Sequence, residues 1–148
     1  MGIFNSFNVN ASGMTAERYR MDIISQNVAN ANTTRTEDGT PYRRKVVRFT
    51  EKTTDITSFG TIYNKARGMD TGNGVKVSGV YEDKSDLTMV YDPSHPDADE
   101  NGYVYYPNVN IVNEMTNMID ASRAYEANAT AFTASKSIAM KGLDIGKT

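Results

Sequence analysis

The chain has 148 residues, a formal net charge of −2 and 39% hydrophobic residues, enough for one domain with a helical element made by its ends, but lean for a self-sufficient core. So weak a charge leaves no electrostatic footprint for nucleic acid or an anionic membrane. The absence of cysteine excludes disulfides, thiol catalysis and Cys-based zinc sites, and no apolar run approaches the roughly 18 residues of a membrane span.

The first element predicted is a helix. From Ile3 to about Ala31 there is no proline and one internal glycine, Gly13. Phe4, Phe7, Ala11, Met14, Met21 and Val28 recur at alternating steps of three and four, with Arg18 and Ser25 filling two slots. That is a heptad-like seam with polar interruptions. The charges first appear at Glu17 and Arg18, and no apolar h-region precedes a cleavage site. Any passage out of the cytosol is therefore expected by a route that reads no cleaved leader.

The middle changes character. Thr33-Thr34-Arg35-Thr36-Glu37-Asp38-Gly39-Thr40-Pro41 is a run of turn formers. Strand-like segments follow at Tyr42–Lys52, Val75–Glu82, Leu87–Tyr91 and Tyr103–Tyr106, and Val75 and Val77 alternate with Lys76 and Ser78 as in a half-buried strand. Gly72-Asn73-Gly74 reads as a hairpin turn, and Ser58–Met69, which has no clear period, as a loop. A second long helix then begins. Ile111, Met115, Met118, Ser122, Tyr125, Ala129, Phe132, Lys136, Ala139 and Leu143 step by four and three without a slip. Pro107 precedes it, Asn108 or Asn110 suits its cap, and Gly146 suits its end. The expected architecture is α+β: an N-terminal helix (1–32), a small β-rich middle region (33–107) and a C-terminal helix (108–148), with the two helices paired as a coiled-coil-like element.

Eleven of the fourteen asparagines fall within residues 5–32 or 108–128, on or beside those helices. Asparagine is a mediocre helix former, and buried in a coiled coil it fixes register at a cost in stability. One by one these residues suit caps and solvated positions; as a cluster they point to helices that meet other subunits through specific polar contacts.

Chemistry-bearing constellations are weak. Asp97-Ala98-Asp99-Glu100-Asn101-Gly102 begins like a calcium loop, but its twelfth position falls on Asn108 where a bidentate glutamate is needed. An acidic surface turn fits better. His95 is the only histidine, so no multi-His site or Ser-His-Asp arrangement is available. Arg43-Arg44-Lys45 is the densest basic run, but strand alternation sends Arg44 to the opposite face, which suits a charged edge or subunit contact. No catalytic site, cofactor or metal is expected.

Ser25-Gln26-Asn27-Val28-Ala29-Asn30-Ala31-Asn32-Thr33-Thr34, with Pro41-Tyr42-Arg43-Arg44-Lys45 a short loop later, resembles the N-terminal signature of the flagellar basal-body rod and hook family. Within that family, Tyr91–Ala98, Asn101–Val104, Asn113–Ile119 and Ala121–Asn128 are similar to the C-type proximal rod branch, and the length agrees. The resemblance covers almost the whole chain, residues 50–75 excepted. It implies a structural subunit that polymerises helically in the periplasm into the proximal rod, a drive shaft that transmits torque and encloses the export channel. It further implies export, unfolded and without a cleaved leader, through the flagellar type III apparatus. Its expected partners are copies of itself, other rod proteins and the membrane ring at the rod base, with no direct insertion into the membrane. The terminal helices would pair and line the tube with the β-rich part outside. Assembly contacts are expected at Phe4, Phe7, Met14, Met21, Met115, Met118, Tyr125, Phe132 and Leu143. Asn27, Asn30, Asn32 and Tyr42 would set the angle between helices and β part. The same residues could also form an intramolecular core. The alternative function is a coiled-coil adaptor or secretion chaperone that binds partner helices without polymerising.

Overall fold

The computed structural model describes residues 3–53, 62–63, 66–67 and 72–146. In chain order the elements are α1 (Ile3–Ala29), β1 (Lys45–Glu51), β2 (Val75–Glu82), β3 (Thr88–Tyr91), β4 (Tyr103–Tyr106) and α2 (Ile111–Ile145). β1 pairs with β2 and β3 with β4 in two separate two-stranded sheets. The protein is therefore α+β, with long helices flanking a small β-rich middle, as the periodicities predict. β1 starts later than the sequence suggests because the backbone before it is engaged elsewhere. The Tyr42 amide donates to Thr33 O at 3.2 Å and the Arg44 amide to Asn108 Oδ1 at 2.9 Å. Of Ser58–Met69, expected as a loop, residues 62, 63 and 66 are helical; apart from these and residue 67, the segment lies outside the described residues.

Compactness divides the chain into two units, each drawing on both helices and on the middle region. The internal unit comprises Tyr19–Arg48 and Gly79–Ser122. Its buried apolar side chains are Ile23, Ile24, Ala31, Tyr42, Val104 and Ala121. α2 starts cleanly here: Asn110 Oδ1 accepts the Asn113 amide at 3.1 Å, satisfying one of the orphan donors of the first turn. Asn108, the other candidate cap, instead ties Arg44 to Ser85. β3 and β4 are antiparallel, with Met89 opposite Tyr105, Val90 opposite Val104 and Tyr91 opposite Tyr103. Val104 faces inward and is fully buried. The turn between the strands closes through Gly102 at φ 80°, where a Cβ would lie 3.0 Å from the Tyr91 ring and 3.1 Å from Pro93.

The terminal unit is formed by described residues within Met1–Arg18, Phe49–Ser78 and Arg123–Thr148. Here α1 and α2 run antiparallel. The Phe7 and Phe132 rings meet edge-on with centroids 5.0 Å apart, and Gly13 lies so close to Asn128 that a Cβ would come within 2.8 Å of its Oδ1. Ser12 fastens β2 to α1, accepting the Val75 amide at 3.0 Å and donating to Val9 O at 2.7 Å. Gly72-Asn73-Gly74, expected as a hairpin turn, leads into β2 after a connection spanning residues 52–74. The requirement for glycine there is a close approach. Gly74 sits at φ 94°, and a Cβ on it would collide with Ser12 Oγ and lie 3.3 Å from Val9 Cα. Among the described residues of this unit, Ala16 alone is buried.

Candidate assembly site

Within the internal unit, the end of α1, the approach to β1 and the start of α2 converge on a buried polar junction. Asn27 is 1% exposed, and all four capacities of its amide are used. Its Nδ2 donates to Lys45 O at 2.9 Å and to Glu114 Oε2 at 3.0 Å. Its Oδ1 accepts from the Tyr42 hydroxyl and from the Lys45 amide, each at 2.9 Å. Glu114, also 1% exposed, sits in the first turn of α2, where the helix dipole favours a carboxylate. Arg44 supplies the countercharge: its Nε and Nη2 donate to Glu114 Oε1 at 2.9 and 2.8 Å. Asn117 donates to the same oxygen at 3.2 Å. A buried ion of this kind persists only when paired and hydrogen-bonded, and both conditions are met.

The junction also governs its neighbours. Burial, then the Glu114 and Glu82 carboxylates, raise the Tyr42 phenol above its ordinary 10.0. The Ser85 amide and hydroxyl, with Arg44 behind them, hold the Asp83 carboxyl below its usual range. Asn108 braces the rim by donating to Asp83 O at 3.1 Å and Ser85 Oγ at 2.7 Å. The basic run divides as alternation requires: Arg43 donates to Ser85 O at 3.2 Å, Arg44 turns inward to Glu114, and the Lys45 ammonium lies 5.6 Å from the centre of the Tyr42 ring.

The residues expected at assembly contacts fall into three environments. Asn27 and Tyr42 are buried in the junction. Asn30 is half-buried and closes the end of α1, donating to Gln26 O at 2.9 Å and accepting from Thr33 at 3.2 Å. Phe7, Met14, Met21, Met118, Tyr125 and Phe132 are half-buried. Phe4, Asn32, Met115 and Leu143 are exposed.

Sequence reasoning passed over Glu114 and the pair Ile23 and Ile24. The stripe of α2 that turns toward the protein runs through Glu114, Met118, Ala121, Tyr125, Asn128, Phe132, Ser135 and Ala139. It overlaps the apolar seam only in part, because several of its members are small or polar. A glutamate in step with that stripe, beside an arginine in the strand signature, was the available signal.

Asp97 and Asp99 are occupied within the turn. Asp97 accepts from the Thr34 hydroxyl at 2.8 Å, and Asp99 accepts the Asn101 and Tyr103 amides at 2.8 and 2.9 Å. They shape a loop. Among the described residues no group of acidic and histidine side chains is arranged to hold a metal, and no helix is long and apolar enough to cross a membrane.

Two family signatures match the chain: residues 7–35 match "Flagella basal body rod protein", and residues 100–145 match "Flagellar basal body rod FlgEFG protein C-terminal". The chain is 46% identical to the flagellar basal-body rod protein FlgC of Bacillus subtilis, over 99% of this chain and 100% of that one. It is 46% identical to FlgC of Borreliella burgdorferi, over 98% of each. The identity to FlgC of Salmonella typhimurium is 38%, over 99% of this chain and 100% of the relative. With such identity sustained from end to end, the chain belongs to the FlgC family of flagellar basal-body rod proteins.

Proposed function

We propose that this protein is a structural, non-enzymatic subunit of the proximal rod of the bacterial flagellar basal body. The observation that carries the reading is the terminal unit. Ala16 is its one buried side chain among the described residues, while Phe4, Ile138, Met140, Leu143 and Ile145 are all more than half exposed. Helices with so much uncovered apolar surface are marginal alone and need neighbours.

Those neighbours are copies of the chain and other rod proteins. Heterologous contacts that do not close a ring generate an open helix, and long helices stacked side by side carry torque through many distributed contacts. The contacts are assigned to Phe4, Phe7, Met14, Met21, Met115, Met118, Tyr125, Phe132 and Leu143. Asn27, Asn30, Asn32 and Tyr42 hold the approach to the β part. The rod stands in the periplasm on the membrane ring, and the chain reaches it unfolded through the flagellar type III apparatus.

Cryo-electron microscopy of basal bodies isolated from cells carrying a tagged copy tests this directly. The chain is expected in the helical wall of the proximal rod. Its recovery only in a discrete soluble complex with other exported proteins would establish the adaptor reading instead.

A further inference from the structure

The sheet formed by β3 and β4 carries Val104, fully buried, and Val90, 43% exposed, on one face and Met89, Tyr91, Tyr103 and Tyr105 on the other. These four side chains are 61, 65, 41 and 38% exposed, and the Tyr91 and Tyr103 rings stack edge-on at 5.3 Å. At about 200 Å² per large side chain the face offers on the order of 400 Å², the size of the largest apolar patch on a typical monomer. That is about half of what a standard interface takes from each partner. Tyr105 also walls a cleft of about 320 Å³ with Pro41, Pro96 and the ion pair Arg35–Asp97, extending the surface. Tyrosine-rich patches of this kind are typical of interface centres.

Charge identifies the occupant. Residues 79–110 hold seven acidic side chains and one lysine, a net −6 within a chain whose total is −2. The patch is thus set in acidic surroundings, with Asp86 and Glu100 exposed and Asp92 held ionised by its Ser94 partners. The complementary charge is on the same polypeptide. Of the basic side chains at residues 43–52, Arg43 and Arg44 are engaged within the chain, while Arg48 and Lys52, with Lys76, stand exposed on or beside the β1–β2 ribbon. The chain already places such cations on tyrosine rings: the Arg48 guanidinium lies 4.4 Å from the centre of Tyr81, a favourable cation–π distance.

We infer that the tyrosine face of the β3–β4 hairpin docks the basic β1–β2 ribbon of a second copy of this chain. The contact is heterologous, acidic aromatic face to basic ribbon, so each copy keeps one free surface of each kind and the series stays open. It rests on the polymer-subunit reading and adds to it a contact outside the terminal helices.

The absence of cysteine makes the test clean. Cells co-express two singly substituted forms, Met89→Cys and Thr50→Cys, both at exposed sites, and basal bodies are isolated and oxidised. A disulfide-linked dimer that requires both forms is expected. Reversing one side only, with Asp86→Lys and Glu100→Lys, should reduce that dimer at least tenfold and impair swimming. Adding Lys52→Glu and Lys76→Glu to the same chain should restore both. All four charges are exposed, and an unchanged urea midpoint of the purified variants confirms that folding is intact. Rods that contain the chain without the crosslink would overturn this inference and leave the rod reading intact. Crosslinking of Met89→Cys to a different protein, charge reversals without effect, or a loss that the second reversal does not restore would also overturn it. If the chain is missing from basal bodies altogether, the rod reading fails with it.

Discussion

A carboxylate as deeply buried as Glu114 is costly unless its surroundings replace water, and here four donors do so: Arg44 twice, Asn27 and Asn117. Removing the acid strands those donors. Glu114→Ala is expected to cost about 3–5 kcal/mol, the range for breaking a buried pair by deleting one partner. Urea unfolding followed by circular dichroism checks this, and a loss below about 1 kcal/mol would show that the junction can rehydrate cheaply. Tyr42 gives the same junction a pH signature. Its folded-state pKa lies above the unfolded value, with burial the leading cause, so the stability it contributes is fully present below about pH 10. That stability is lost as pH rises further, because the unfolded chain ionises first and the folded phenol must surrender its bond to Asn27. Tyr42→Phe should flatten the alkaline limb of stability against pH. An unchanged limb would mean that other groups govern it.

At the scale of elements, the two helices and the strands β2 and β4 were legible in the sequence because their signals are local: long proline-free stretches, a period of 2, and turn formers on either side. The facing of the helices was less legible. A search for large apolar residues puts Arg18, Ser25 and Lys136 in the seam, yet those positions are exposed. Apart from Ile23 and Ile24, the positions that α1 and α2 bury are Ala16, Asn27, Glu114 and Ala121. Small side chains let two helices approach closely and polar ones find partners across the gap, and hydropathy registers neither. The polar junction was readable only as a cluster of asparagines and a signature, since the partners of Asn27 lie 15 to 87 residues from it. Phe132 shows what a shared position on the seam implies. Its ring is half-buried against Phe7, so Phe132→Ala should cost the isolated chain about 1–2 kcal/mol instead of the 3–5 kcal/mol of a fully buried ring. In cells the same change should leave the protein exported but build no rod, whereas Lys141→Ala, at an exposed site, should stay within about 0.5 kcal/mol and swim normally. A motile Phe132→Ala strain would remove this seam from the assembly.

For the molecule as a whole, the two units differ sharply in how much they bury, so their stabilities should differ too. Amide exchange on the dilute purified chain is expected to protect residues 19–29, β4 and the first turns of α2. Residues 3–18 and the part of α2 beyond Arg123 should exchange orders of magnitude faster, since local opening follows local burial. Strong protection at both ends would show that the terminal unit stands without neighbours. The junction has a bearing on timing as well. Asn27 and Glu114 are separated by 87 positions, and closing a loop of that size costs about 4 kcal/mol of chain entropy. Only the bonds from Asn27 to Tyr42 and Lys45, 15 and 18 positions on, can form before that loop closes. A chain emerging from its N-terminus, whether from a ribosome or from a narrow conduit, cannot close this knot until residue 114 is out. Up to that moment Asn27 can reach Tyr42 and Lys45 but not Glu114, so the internal unit is tied together only when the first turn of α2 arrives.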